Sequence, residues 1–366
     1  MSIVTTFLHV LLLLSNFAAP ALAAPTPLFV TKRSTLAGSP VVFGAGTYPR
    51  ATRLSDGSLL GVYTAFSGGN NVITTTMSTD NGASWQTLGE VASGPSDAND
   101  IDNPYVLQLP SATGRVLCAF RNHSKDPSSG AYTYFRITIT YSDDKGKTWK
   151  YLSTASQDPG PVNGNWEPFL RLAQDGSLQI YYPRENSAAD QDTIERFSTD
   201  GGQTWTSPKT ISGTGITSRD GMTGVADVSG SNLMAVFESE TNGIFNILSI
   251  TSADDGKTWS STRSLVYDST GSGNSAGAPQ IINVGGTIVV SFMTSEDADL
   301  GSGGGAYTSH TAAKVISSSD GGKTWGNKIT TSPEQGVWPG LVVVDSKSFL
   351  ALSDHAGAKA QKVTIP

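Results

Sequence analysis

Ser142-Asp143-Asp144-Lys145-Gly146-Lys147-Thr148-Trp149 is the stretch that decides the fold, because four others repeat it. They are Ser78-Thr-Asp80-Asn-Gly82-Ala-Ser-Trp85, Ser198-Thr-Asp200-Gly-Gly202-Gln-Thr-Trp205, Ser252-Ala-Asp254-Asp-Gly256-Lys-Thr-Trp259 and Ser318-Ser-Asp320-Gly-Gly322-Lys-Thr-Trp325. Each position has a mechanical reason. The Asp carboxylate accepts backbone N–H groups of a tight turn, Gly supplies a positive φ, and the Trp ring anchors the next strand by burial. A turn recurring every 54 to 66 residues marks units too small to bury their own faces, which stack into a ring of sheets.

A second repeat runs between these turns: an apolar strand, a turn and a second apolar strand, from Pro49 to Ala65, Pro104 to Phe120, Pro168 to Tyr182, Gly221 to Phe237, Pro279 to Met293 and Pro339 to Leu352. Six strand pairs with five boxes predict an all-β fold, a six-bladed β-propeller of four-stranded antiparallel blades. Only one strand, Lys359 to Ile365, fits after the last pair, so the stretch around Leu36 to Phe43 is expected to complete that blade. The N- and C-terminal strands would then close the ring and remove free sheet edges.

Composition agrees. Glycine at 40 residues and only 15% charged residues describe a turn-rich β chain. The apolar run ending in Ala21-Leu22-Ala23 reads as a signal peptide over residues 1–24, with 25–33 a short pro-segment if a second cut follows Lys32-Arg33, and 34–366 the propeller. The product is expected outside the cell, as a monomer without membrane association, since no other apolar stretch approaches the roughly 20 residues that cross a bilayer. The lone Cys118 leaves no internal disulfide. A net charge of −7 argues against nucleic acid or an acidic membrane surface as partner and suits a neutral substrate.

In such a meander the residues opening the innermost strand and closing the second share one face, opposite the boxes. Those positions hold Tyr48, Arg50, Asp102, Asn103, Trp166, Glu167, Arg219, Asp220 and Trp338, with Arg121, Arg184 and Glu238 to Glu240 at the second-strand ends. Glu167 and Glu238 are the candidate catalytic acids, because each adjoins an apolar strand and an aromatic residue, surroundings that suit a proton donor facing an ionised partner. Glu240 and Asp220 compete with them, Asp220 holding the place in the fourth repeat that Glu167 holds in the third. Trp166 and Trp338 either stack on sugar rings or plug the channel. Tyr48, Arg50, Asn103, Arg184 and Asp220 complete the candidate substrate-binding set. None of His123, His310 and His355 has metal-ligand spacing to another, so neither metal nor cofactor is expected. Asn122-His123-Ser124 is an N-glycosylation sequon on the proposed active face. The glycine-rich loop Ser295 to Thr308 is either a rim or a slack connection.

With its Asp-boxes and Tyr48-Pro49-Arg50, the chain resembles the sialidase-like superfamily of propellers. Within it, Asn165-Trp166-Glu167-Pro168 and Val236-Phe237-Glu238 are most similar to the fungal exo-1,5-α-L-arabinanases of glycoside hydrolase family 93. The resemblance implies a retaining two-glutamate hydrolase that releases arabinobiose from linear arabinan, with Glu167 as acid/base and Glu238 as nucleophile, or the reverse. A sialidase is the alternative, although blades five and six offer no arginine for a substrate carboxylate. A sugar-binding lectin is the other, although its sites would recur in every blade.

Overall fold

The computed structural model describes residues 33–241, 243–269, 274–298 and 310–366. The expected leader, residues 25–32 and most of the Ser295 to Thr308 loop lie outside them. The described residues form strands and turns with no helix.

Four sheets are four-stranded meanders, or nearly so. One holds β2 (Thr47–Arg53), β3 (Leu59–Ser67), β4 (Asn70–Ser78) and β5 (Gln86–Pro95). A second holds β6 (Asn99–Gln108), β7 (Val116–Lys125), β8 (Tyr132–Ser142) and β9 (Lys150–Pro159). A third holds β18 (Ala276–Val284), β19 (Thr287–Thr294), β20 (Ala312–Ser318) and β21 (Gly326–Ser332). The last runs β22 (Val337–Asp345), β23 (Ser348–Asp354), β24 (Ala358–Thr364) and then β1 (Thr35–Gly44), the N-terminal strand, which pairs antiparallel with β24. The expected joining of the two ends of the propeller is thus observed.

The fifth sheet corrects the expectation of separate four-stranded blades, because it has eight strands. It comprises β10 (Phe169–Leu172), β11 (Leu178–Ser187), β12 (Asp190–Ser198) and β13 (Lys209–Ser212), then β14 (Arg219–Ser229), β15 (Asn232–Thr241), β16 (Ile244–Ser252) and β17 (Ser264–Tyr267). β13 covers only Thr193 to Glu195 of β12, so the start of β12 keeps a free edge. The chain entering β14 fills it: Gln191 pairs in parallel with Arg219, and the Gln191 N–H donates to the Ser218 carbonyl at 3.0 Å.

The innermost strands touch in cyclic order, β2, β6, β10, β14, β18, β22 and back to β2, making an all-β propeller. Its core is divided among the junctions. Ile73 of β4 packs with Val106 of β6, Ile137 of β8 with Leu170 of β10, and Ile247 of β16 with Ile281 of β18.

The boxes behave as their residues dictate. Asp144 Oδ1 accepts from the Thr148 N–H at 2.9 Å and its Oδ2 from the Thr148 hydroxyl at 2.6 Å, while Gly146 takes φ +89°. Trp149 packs into the adjoining junction.

Candidate active site

Every innermost strand except β10 carries a bulge near its start, at which one non-glycine residue adopts a left-handed backbone. These residues are Tyr48 (φ 53°), Asn103 (φ 52°), Met222 (φ 50°), Ala278 (φ 52°) and Trp338 (φ 53°). Such a conformation costs about 1–3 kcal/mol each and persists where the surroundings over-determine it. The bulges turn side chains toward the axis: Tyr48, Met222, Ala278 and Met293 form one buried cluster with Trp338 against it. The Tyr48 and Trp338 ring centroids are 6.2 Å apart.

This register corrects the fourth repeat. Its left-handed residue is Met222, before Thr223, where the other bulges precede Pro49, Pro104, Pro279 and Pro339. Asp220 is therefore not the counterpart of Glu167. It is fully buried, accepting from Ser212, Ser218, Ser239 and Arg263 at 2.5 to 2.9 Å, and contributes an internal ion pair instead of a substrate contact. Glu240 sits opposite Arg219 in register and caps the following turn at the Gly243 N–H.

Glu167 and Glu238 do come together. Both keep part of their surface open to water while protein surrounds them, as on the floor of a pit. Glu238 Oε2 accepts the Ala278 N–H at 2.7 Å, a donor aimed by the bulge of the neighbouring blade. Burial pushes the Glu238 carboxyl up to about 7; the Ala278 bond and Arg219 oppose the shift, and the negative charge of Glu167 adds to it. Burial also raises Glu167, with Arg121 and Arg50 pulling back and Asp102 pushing further.

A polar wall from the second blade flanks Glu167. Arg121 Nη2 donates to Asp100 Oδ1 at 3.0 Å and Asp102 Oδ2 at 3.2 Å, and its guanidinium lies 5.2 Å from the centre of the Trp166 ring. The Tyr132 hydroxyl donates to Asp100 Oδ2 at 2.7 Å. Burial raises Asp100, but Arg121 and Tyr132 outweigh it and hold the carboxyl below its ordinary value. Arg50 is buried against the Tyr48 ring, donating to the carbonyls of Pro49 and Trp338, with Nε and Nη2 unpaired. Asn103 is buried with its Oδ1 unpaired.

Trp166 packs against Phe135 and Tyr132 and over His123, whose pKa burial holds down to about 3. It is a wall of the site more than a plug. Arg184 is half-buried, its backbone bridged to Asn165 and its place in β11 opposite Asp192. Asn122 of the sequon is half-buried in β7 and donates to the Thr138 hydroxyl at 3.1 Å. Among the described residues no cluster of His, Cys, Asp or Glu is arranged to hold a metal ion.

The sequence reading gave no role to Asp100, Tyr132 or Gln191. Asp100 had a signal, since two acids two apart on one strand face the same side. A surface cavity of about 690 Å³, lined by Val228, Asn232, Thr258, Asp320 and Lys323, lies beside the boxes, on the face opposite the glutamates.

Residues 47–234 match the family model described as a BNR repeat-like domain. No curated protein sequence matches the chain. Solved structures do. The α-L-arabinofuranosidase of Fusarium graminearum, solved with an iminosugar inhibitor, is 20% identical, with a TM-score of 0.71 over 90% of this chain and 98% of that one. The Penicillium chrysogenum α-L-arabinanase, complexed with arabinobiose, is 19% identical, with a TM-score of 0.67 over 91% and 98%. A Hadza microbial sialidase is 19% identical, with a TM-score of 0.60 over 88% and 66%.

Proposed function

Because the chain belongs to the BNR repeat-like domain family, whose fold hosts sugar-cleaving enzymes among its structural neighbours, we propose that it is a secreted glycoside hydrolase acting on linear arabinan. In this reading the eight-stranded sheet counts as two blades of a ring of six, and the chain works as a monomer, as a retaining exo-1,5-α-L-arabinanase releasing arabinobiose. The observation that carries it is the pairing of Glu167 and Glu238 from adjacent blades, close enough that the charge of one raises the pKa of the other.

The surroundings favour one assignment of roles, the reverse of that first drawn from the motifs. Burial raises Glu167 as well, but Arg121 and Arg50 oppose that rise and favour its carboxylate. Glu238, pushed up to about 7, keeps its proton in about half of the molecules at neutral pH, the poise of a group that gives up and takes back a proton. Glu167 then attacks the anomeric carbon while Glu238 protonates the departing glycosidic oxygen, leaving a glycosyl ester on Glu167. Glu238, now ionised, takes a proton from the water that attacks this ester. The C–O bond to Glu167 breaks, the sugar leaves, and both carboxyl groups return to their starting states.

A neutral sugar suits the wall better than an anionic one, since Arg121 is already paired with Asp100 and Asp102, and Arg219 with Glu185. The test is product analysis on debranched arabinan and on a sialyl conjugate, with Glu167→Gln and Glu238→Gln alongside. Arabinobiose is expected, and each variant is expected to lose about 10²–10⁴-fold in kcat with an unchanged melting temperature. Free sialic acid would replace arabinan as the substrate, and a fully active variant would remove that glutamate from the mechanism.

A further inference from the structure

The strand that fuses the third and fourth blades has an unusual face. Counting back from the first serine of each box aligns the third strands, and residues seven, five and three positions earlier face the next blade. In β12 these are Gln191, Thr193 and Glu195, polar at all three. The middle position is Ile73, Ile137, Ile247 and Ala313 in the other four boxed blades, where it packs in apolar clusters or is fully buried. Thr193 instead shares a hydrogen bond with Thr223 of β14 at 3.0 Å.

Gln191 begins this seam beside the catalytic pair. It is 5% exposed, and its backbone is tied to Ser218 and Arg219. Two residues further along β14, Gly221 lies opposite Glu238. A Cβ on Gly221 would stand 3.3 Å from Gln191 Oε1 and 3.3 Å from Glu238 Oε1. The missing side chain therefore leaves one space that both side-chain ends enter. Oε2 of Glu238 is already held by Ala278, so Oε1 is the oxygen left to the reaction and to Gln191.

We infer that Gln191 is a positioning residue for Glu238, its amide lying beside Oε1 and keeping that oxygen aimed through the catalytic cycle. The inference rests on the two-glutamate reading above. A carboxyl that gives up a proton and takes one back needs a neighbour able to accept from its O–H and to donate to its carboxylate. A primary amide offers both functions and, being neutral, biases neither state. A lysine there would hold the proton off, and an aspartate would hold it on. The charges that do act on Glu238 are Glu167 and Arg219, of opposite sign.

The experiment uses the full chain with Gln191→Met and Gln191→Glu. Side-chain ¹³C titration of labelled glutamates follows Glu238, assigned by its disappearance in Glu238→Gln. Gln191→Glu is expected to raise the Glu238 midpoint by about one pH unit or more, through a like charge bordering the same space, and to move the basic limb of kcat/KM with it. Gln191→Met is expected to lower kcat on debranched arabinan about tenfold with KM within twofold and the melting temperature unchanged. A Glu238 midpoint unmoved in Gln191→Glu, or undiminished kcat in Gln191→Met, overturns the inference. So does a loss of kcat that tracks a loss of stability with the basic limb in place. The titration is read whatever the substrate. A wild-type chain inert on arabinan, or a fully active Glu238→Gln, defeats the underlying reading instead.

Discussion

Replacing Glu195 by glutamine should stabilise the protein at alkaline pH and leave it unchanged in acid. The Glu195 side chain has no exposed surface, and its nearest cation, Lys209 Nζ, stands 3.9 Å from Oε2. Trp259 Nε1 donates to Oε2 at 3.2 Å. Burial raises this carboxyl from an ordinary 4.5 to about 7, against the smaller opposing effects of Tyr181, Lys209 and Trp259. The folded chain thus keeps the proton to about 7 while the unfolded chain releases it near 4.5. The stability it confers is complete below 4.5 and is lost as pH rises through the interval. At a tenfold factor per pH unit the loss accumulates to about 3 kcal/mol. Glutamine carries no proton to lose, and its carbonyl can still accept from Trp259. Urea unfolding of wild type and Glu195→Gln at pH 4.5 and pH 8 should show curves that agree in acid and separate by about 2–3 kcal/mol in favour of the variant at pH 8. Glu238, also raised, is common to both proteins and cancels. A difference that does not depend on pH, or a variant less stable at pH 8, would refute the reasoning.

Two further outcomes follow from neighbouring geometry. Arg121→Met removes a charge that favours the Glu167 carboxylate, so the acidic limb of kcat/KM should move up by about one pH unit; an unmoved limb would take Glu167 out of the ionised role. Gly82→Ala should lower stability by about 1–3 kcal/mol in calorimetry, since the residue sits at φ +85° and a Cβ would lie 2.3 Å from Leu350 Cδ1. Gly326→Ala, with nothing within 4 Å, is the control, expected within about 0.5 kcal/mol of wild type; equal losses would mean that the box glycine is not needed for close approach.

The boxes made the propeller legible because each is a local pattern: Asp144, Gly146 and Trp149 stand within eight residues, and no distant partner is needed to recognise them. Glu167 and Glu238 were legible for a related reason, since each lies at a strand end whose place in the repeat is marked by Pro168 or by the run into Phe237. The reading failed where a position depends on another blade. Met222 was missed because Thr223 stands where the other repeats have proline, and the two-residue slip gave Asp220 a role that its four buried hydrogen bonds deny. The eight-stranded sheet depends on how little of β12 is covered by β13, a length that the residues from 209 to 212 do not announce. The assignment proposed here for the two glutamates differs from the one the motifs imply for the same reason. Trp166 and Pro168, the chain neighbours of Glu167, suggest an apolar setting, and burial does raise its carboxyl, but Arg50 and Arg121 reach it from the first and second blades and oppose that rise. Chain neighbours thus point to a candidate carboxyl in a propeller, whereas the charges that act on it come from side chains that only closure of the ring brings near. The same closure sets Gln191 beside Glu238. An amide at that place in the third strand has no meaning until the edge of one blade meets the innermost strand of the next.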